Sequence, residues 1–383
     1  MKRVVIIGGG FAGLSAARRL HRRGGAQVML LDPRATSQFL PLLPDVIGRW
    51  LPPRSVQYPL ATAARRWGFR WVRERAEHID VQAGRVATAR GRFEYDALIV
   101  ATGEVTNFHG SEKPRRFSQV IETVEDALAI RRLGLDRDHH SIVIAGGGYT
   151  GVEVATQLWR LLRLRGRSKR LVIVDPAEEM CPVVPKPFRP YVRKNVERLG
   201  IEVHLETTGE PLGGGVVELS NGERVENCGM VWAAGVRTPD LVQELDCEKA
   251  HGGRVIVNDR LQAKENVFFA GDAAAFMQDG QPLRQSVQFS LLEGDRAGEN
   301  AALLLQGRKP KLFRPLDLGY VVPMANFRGC GTVLGLPVRG WVPAFLHYVM
   351  SLYRTWGLGS RSELLAALLT RGQRQVEGPP QKP

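Results

Sequence analysis

Two glycine clusters of the same spacing carry the most chemistry in this sequence: Gly8-Gly9-Gly10-Phe11-Ala12-Gly13 and Gly146-Gly147-Gly148-Tyr149-Thr150-Gly151. In a GxGxxG loop the first glycine (Gly8, Gly146) permits the tight turn. The second (Gly10, Gly148) admits a pyrophosphate that any Cβ would block, and the third (Gly13, Gly151) lets helix and strand pack closely. The phosphates would lie on free N–H groups around Phe11 and Ala12, or Tyr149 and Thr150, at the positive end of a helix dipole. Downstream of each cluster an apolar run ends in an acid, Val28-Met29-Leu30-Leu31-Asp32 and Leu171-Val172-Ile173-Val174-Asp175. A carboxylate there accepts hydrogen bonds from ribose hydroxyls, so both ligands are expected to be dinucleotides. Pro176 follows Asp175 and no arginine is placed to receive a 2′-phosphate, which favours NADH over NADPH at the second cluster.

Three further turns belong with these loops. The strand-like Tyr95 to Val100 opens into Ala101-Thr102-Gly103, where small residues let the backbone touch a cofactor. Met230-Val231-Trp232 closes into Ala233-Ala234-Gly235, and Val267-Phe268-Phe269-Ala270 leads to Gly271-Asp272. A Gly-Asp turn at a strand's C-terminal edge offers a carboxylate and N–H groups where ligands bind in such sheets. Asp272 is expected on a sugar-alcohol or phosphate end of the first cofactor. Ser286 to Leu305 reads as one amphipathic helix whose N-terminal dipole can stabilise a negative, reduced ring.

These residues need a particular scaffold. Each cluster is preceded by a β-branched run (Val4 to Ile7; Ile142 to Ile144) and followed by a helix-forming one (Leu14 to Leu20; Val152 to Leu158), the pattern of a parallel βαβ unit. The fold class is therefore α/β, with two Rossmann-type dinucleotide-binding domains. Gln38 to Gly48, apolar and broken by prolines, reads as an irregular wall suited to a flat ring. A change of domain is expected near Pro114.

Composition narrows the class. A chain of 383 residues with 44% apolar residues has material for two or three cored domains. Lys plus Arg exceed Asp plus Glu by 53 to 39, giving +14, which attracts anions. The densest basic stretch, Arg160, Arg163, Arg165, Arg167, Lys169 and Arg170, reads as a solvated face, and no helix-turn-helix, zinc or RRM-type signature points to nucleic acid. The four cysteines, Cys181, Cys228, Cys247 and Cys330, are scattered without a CxxC pair, so neither a metal site nor a disulfide framework is expected. Met1-Lys2-Arg3 runs straight into a strand, leaving no room for a signal peptide, and no run reaches the ~20 apolar residues of a spanning helix. Near the C-terminus Trp341, Val342, Phe345, Leu346, Val349, Leu352, Tyr353 and Trp356 recur at helical spacing. A second stripe is Leu364, Leu365, Leu368 and Leu369, with Arg339, Arg354, Arg361, Arg371 and Arg374 flanking both. Aromatic and basic amphipathic helices suit an anionic lipid surface, and a homodimer interface is the alternative. Gly378-Pro379-Pro380 reads as a disordered tail.

With both loops, the Ala101-Thr102-Gly103 turn and Gly271-Asp272 in hand, the chain resembles the two-dinucleotide flavoprotein reductases. Within them it is most similar to type II NADH dehydrogenases, the single-chain NADH:quinone oxidoreductases of membrane surfaces. Phe39-Leu40-Pro41-Leu42-Leu43, Thr106-Asn107-Phe108, Gly146 to Glu153, Trp232 to Val236 and the C-terminal aromatic helix carry the likeness. The resemblance implies FAD in the first unit (Gly8, Gly10, Phe11, Ala12, Gly13, Asp32, Ala101, Thr102, Gly103, Gly271, Asp272). It implies NADH in the second (Gly146, Gly148, Tyr149, Thr150, Gly151, Asp175, Gly235). The expected division is an FAD domain of residues 1–114 and 265–325, an inserted NAD domain of 115–264, and a membrane-association region of 326–383. The implied activity passes hydride from NADH to FAD and electrons to a membrane quinone, without proton pumping, from the cytoplasmic face. Glu153 matches an acid near the nicotinamide and flavin that could relay a proton. Gln288 matches the first glutamine of a quinone-side Ala-Gln-x-Ala-x-Gln segment, whose second is Leu292 here. Three other readings stand beside this one. A disulfide reductase needs a cysteine pair that Phe39 to Gly48 lacks. A sulfide:quinone oxidoreductase would recruit Cys181 and Cys330. A flavin- and NADH-binding sensor would not turn over.

Overall fold

The computed structural model describes residues 1–48, 51–182 and 184–369. Arg371, Arg374 and the expected tail at Gly378-Pro379-Pro380 lie outside the described residues. The chain divides into two compact units. The first comprises residues 1–37, 58–105 and 236–317, the second 38–57, 106–235 and 318–383.

In the first unit a six-stranded sheet runs Gln262–Lys264, Val267–Phe269, Ala97–Val100, Lys2–Ile7, Ala26–Leu31, Arg70–Val72, parallel except for its first edge strand. Val4, Ile6, Leu98, Ile99 and Phe268 are fully buried, as a strand covered on both faces requires. The helix Phe11–Arg23 follows the central strand, and Val287–Leu305 lies against it. Their approach is set by glycine. A Cβ on Gly294 would lie 2.1 Å from the Ala12 carbonyl oxygen, and one on Gly298 would lie 2.6 Å from that of Ala16. Ser286 caps the second helix through Phe289 N–H, so the amphipathic helix expected over 286–305 begins where its sequence says.

The second unit repeats the plan with four parallel strands in the order Glu202–Leu205, Arg170–Asp175, Ser141–Ala145, Cys228–Trp232. Gln38 to Gly48 departs from the irregular wall expected. Leu40–Leu42 forms a single 3-10 turn and Leu43–Gly48 a short helix. Pro44 sits in that helix's first turn, where its missing N–H costs nothing.

Also in the second unit, Gly319–Met324, Arg328–Val333 and Leu336–Gly340 form an antiparallel sheet that the sequence did not announce. Helices Trp341–Arg354 and Leu358–Leu369 follow. In the first of these, Ala344, His347 and Ser351 face inward, while Trp341 and Tyr353 are 68% and 71% exposed. Among the described residues no helix is long and apolar enough to cross a membrane.

In the basic stretch, read as a solvated face, Arg163 and Arg165 are exposed, while its C-terminal part is engaged by the fold. Lys169 donates to the carbonyls of Asp136 and His139, and Arg167 to that of Leu135, where the helix Val124–Leu135 ends. Arg170 pairs with Glu202 and Glu223 at 2.6 and 2.8 Å.

Candidate functional site

Both glycine loops have the same geometry. Gly8 and Gly146 take φ of +104° and +106°, conformations that L side chains rarely adopt, and a Cβ on them would meet the carbonyl oxygens of Ala101 at 2.2 Å and Ala233 at 2.4 Å. A Cβ on Gly13 or Gly151 would lie 1.8 Å from the Gly8 or Gly146 carbonyl oxygen, so each third glycine closes its own turn. Gly10 and Gly148 differ in kind, because a Cβ there meets nothing within 4 Å. These are the positions where a pyrophosphate needs room. Both are helix N-caps without a side-chain bond to the first turn, which leaves N–H groups of that turn for an anion.

The strand-end acids anchor the loops. Asp32, 3% exposed, accepts from Gly9 N–H at 2.7 Å and Arg34 N–H at 2.8 Å. Asp175 accepts from Gly147 N–H at 2.5 Å and Ala177 N–H at 2.7 Å. The Arg34 guanidinium also reaches both Asp32 oxygens at 3.4 Å, so a ribose hydroxyl at Asp32 would replace those long contacts, whereas Asp175 keeps acceptor positions for ribose hydroxyls.

The other residues expected around the first loop converge on it. Thr102 follows Ala101 beside Gly8, and its hydroxyl is buried with no hydrogen-bond partner. Such a group calls for a ligand or a water. Gly271, with φ of +73°, would set a Cβ 3.1 Å from that of Ala12 and 3.2 Å from Ser290 Oγ. Asp272 is half-buried, and burial pushes its carboxyl up to about 6 against the pull of Arg254. Open backbone at Gly10, the orphaned Thr102 hydroxyl and the Gly271-Asp272 turn together fit an extended diphosphate ligand such as FAD.

Around the second loop, Gly235 (φ +116°) accepts from Asn107 N–H at 3.0 Å, and His109 Nε2 lies 2.7 Å from Ala234 O. Here Thr106-Asn107-Phe108 acts as a clip. Thr106 donates to Glu122 from both N–H and Oγ1 (2.7 and 2.6 Å), Trp232 Nε1 donates to Asn107 O at 2.9 Å, and the Phe108 and Trp232 rings lie 6.2 Å apart. Tyr149 and Glu153 stand on the loop's helix. Glu153 is 5% exposed, and burial, reinforced by Asp45, holds its carboxyl well above the usual carboxylate range.

Gln288 stands near the start of its helix, with its side-chain amide donating to Asp317 Oδ1 at 2.9 Å. Asp317 also takes both terminal nitrogens of Arg284, and Leu292 is 37% exposed. Sequence reasoning missed Asp45, Arg254, Glu293 and Asp317. None carried a signal in the sequence: Glu293 shares its helix with Asp295, Arg296 and Glu299 and does not stand out among them.

Fold and site define a class, the α/β proteins with two dinucleotide-binding units in one chain. The chain belongs to the pyridine nucleotide-disulphide oxidoreductase family, whose model matches residues 2–294. Among curated relatives, a type II NADH:quinone oxidoreductase of Staphylococcus aureus is 27% identical over 390 residues, spanning 94% of this chain and 97% of the relative. The solved structure of NDH2 from Plasmodium falciparum in complex with NADH superposes with a TM-score of 0.85 at 14% identity, over 96% of this chain and 98% of that one. The sulfide:quinone oxidoreductase of Aquifex aeolicus gives 0.78 at 20% identity, over 95% and 92% of the two chains.

Proposed function

We propose that this protein is an NADH:quinone oxidoreductase with FAD bound in the first unit and NADH exchanging in the second. The observation that carries the reading is the pair of matching glycine loops, each with an open helix N-terminus and its own strand-end carboxylate. Two such seats in one chain suit a donor and a resident acceptor. The near-full-length likeness to type II NADH:quinone oxidoreductases supports the same assignment.

Gly8, Gly10, Phe11, Ala12, Gly13 and Asp32 would hold the adenine half and diphosphate of FAD, with Ala101, Thr102, Gly103, Gly271 and Asp272 along the rest. Gly146, Gly148, Tyr149, Thr150, Gly151, Asp175 and Gly235 would hold NADH. Bound FAD supplies the redox chemistry, accepting hydride from NADH and delivering the electron pair to a quinone. The chain's residues handle position and protons. Glu153, whose burial favours the protonated form, would be placed to give a proton to a reduced acceptor and regain it from solvent. Gln288, aimed by Asp317, would orient the quinone, and Leu292 would offer it an apolar contact.

In ligand terms, the unit of residues 1–37, 58–105 and 236–317 would be the FAD domain, and residues 106–235 of the second unit the NAD domain. Residues 326–383 bring the protein to an anionic lipid surface on the cytoplasmic side. The exposed Trp341, Phe345, Val349 and Tyr353 stripe supports that surface, and a homodimer would cover the same face. Sulfide oxidation finds no support in the thiols. Cys181 and Cys330 are fully buried, and burial pushes them up to about 12 and about 11, far from the thiolates such chemistry needs. Purified protein should carry a flavin spectrum that NADH bleaches and a short-chain quinone restores. Lack of flavin, or quinone reduction by sulfide without NADH, would overturn the assignment.

A further inference from the structure

The turn Gly271–Ala274 is gripped at both ends by buried charged side chains from distant parts of the chain. At its start, Glu293 Oε2 accepts the Gly271 N–H at 2.7 Å, and Glu293 is 2% exposed. At its end, Arg254 Nε and Nη2 both donate to the Ala274 carbonyl, at 3.0 and 2.6 Å. Asp272, proposed above to touch FAD, sits between the two grips. Its position is therefore fixed by residues that need not contact the ligand.

The groups facing Glu293 are few. Asp272 and Arg254 act on it directly, and Glu104 acts on Arg254. On the neighbouring helix Phe11–Arg23, Arg19 and Arg23 are engaged farther along by Asp295 and Glu299. The strands packed on this helix, Ala97–Val100 and Val267–Phe269, carry no titratable side chain. Arg254 is a single positive charge acting on two carboxyl groups, Glu293 and Asp272, and can balance only one of them when ionised. A second ionised acid would stand uncompensated in the interior, beside a ligand that brings a diphosphate.

Resting on the FAD assignment, we propose that Glu293 is a positioning residue for FAD, and that the proton it carries governs how firmly the first unit holds the cofactor. As a neutral acid, Glu293 anchors the Gly271 amide without adding charge. When it loses its proton to solvent, the same hydrogen bond remains, but a buried anion faces Asp272 and the phosphates. Burial pushes this carboxyl up to about 8, so the change falls at mildly alkaline pH. Linkage makes the effect reciprocal, with bound FAD raising the proton affinity further. For a single proton, affinity for FAD can fall up to about tenfold per pH unit above the ligand-free value.

The experiment is release of FAD from the holoenzyme on dilution, followed by recovery of free-flavin fluorescence from pH 6.5 to 9.5, in wild type and Glu293→Gln. The amide keeps the acceptor for Gly271 and cannot ionise. Wild type should release FAD about tenfold more readily at pH 9.5 than at 6.5, and the variant should show a flat profile. An equal alkaline rise in both, or a flat wild-type profile, overturns the inference. Should the variant fail to fold, wild type alone decides. The gap in melting temperature between FAD-loaded and FAD-depleted protein must narrow over the same range, and an unchanged gap is disproof. A chain that takes up no FAD at any pH fails the cofactor assignment itself, whereas equal uptake at all pH values fails only the role of Glu293.

Discussion

The phenolic hydroxyl of Tyr348 donates to Asp45 Oδ1 at 2.8 Å, joining the C-terminal aromatic helix to the short helix Leu43–Gly48 across 303 positions of sequence. Gln157 Nε2 donates to the same oxygen at 3.0 Å, and Asp45 is 2% exposed. Removing one of two donors to a buried carboxylate costs its desolvation. Tyr348→Phe is therefore expected to destabilise the protein by about 1–3 kcal/mol. Urea denaturation measures this, and a change within a few tenths would mean that the bond carries no weight.

Asp45 bears in turn on Glu153. Burial first, and the Asp45 charge second, raise the Glu153 carboxyl well above its usual 4.5. The folded chain thus keeps a proton that the unfolded chain releases, so this contribution to stability is full in acid. It is lost as pH rises through the folded value. Glu153→Gln should melt close to wild type at acid pH and above it in alkali. A constant offset across pH would contradict the sign.

The glycine loops should be separable. Gly13→Ala forces a methyl onto the Gly8 carbonyl and should yield protein without flavin. Gly151→Ala does the same at Gly146 and should retain the flavin spectrum while KM for NADH rises about tenfold or more. Loss of flavin from the second variant would argue against two separate tenants.

Gln288 depends on Asp317 for its direction. Asp317→Ala should raise KM for a short-chain quinone roughly two- to tenfold, the worth of one hydrogen bond, and leave reduction of a soluble one-electron acceptor unchanged. Equal effects on both acceptors would mark Asp317 as structural.

The exposed stripe on Trp341–Arg354 invites a direct measurement. Replacing Trp341, Phe345 and Tyr353 together by serine should abolish binding to anionic liposomes, as should truncation after Gly335. Intact liposome binding in both would reassign the stripe, and loss of a dimer in its place would name the partner as a second copy.

The parts legible in the sequence were those in which one short stretch sets its own geometry. A glycine at φ +104° or +106°, an N-cap left open and a serine cap act within a few residues of themselves, and each strand-end acid meets its loop within a single βαβ unit whose spacing the sequence displays. The sheet Gly319–Gly340 was hidden because Pro323, Pro337 and five glycines obscure its alternation, and its pairing rests on neighbours in space. Asp45, Arg254 and Glu293 were hidden for another reason. Each has its partner far along the chain, at Tyr348, Ala274 and Gly271, and periodicity carries no information about such meetings. In the basic stretch, read as a solvated face, Arg163 and Arg165 are exposed, and a count of lysines and arginines does not register that Lys169 caps carbonyls and Arg170 pairs with acids.

The pairing of Phe11–Arg23 with Val287–Leu305 also orders events during synthesis. Ser15 Oγ reaches the Leu291 carbonyl over 276 positions, and the sheet's Val267–Phe269 strand must find Ala97–Val100 beside the first strand. The loop at Gly8, though translated first, gains its opposing helix only once some three hundred residues have emerged. The sheet of Ser141–Ala145, Arg170–Asp175, Glu202–Leu205 and Cys228–Trp232 is contiguous and complete well before then. On the ribosome the later-encoded nucleotide seat therefore precedes the earlier one, and FAD capture becomes one of the closing steps of assembly.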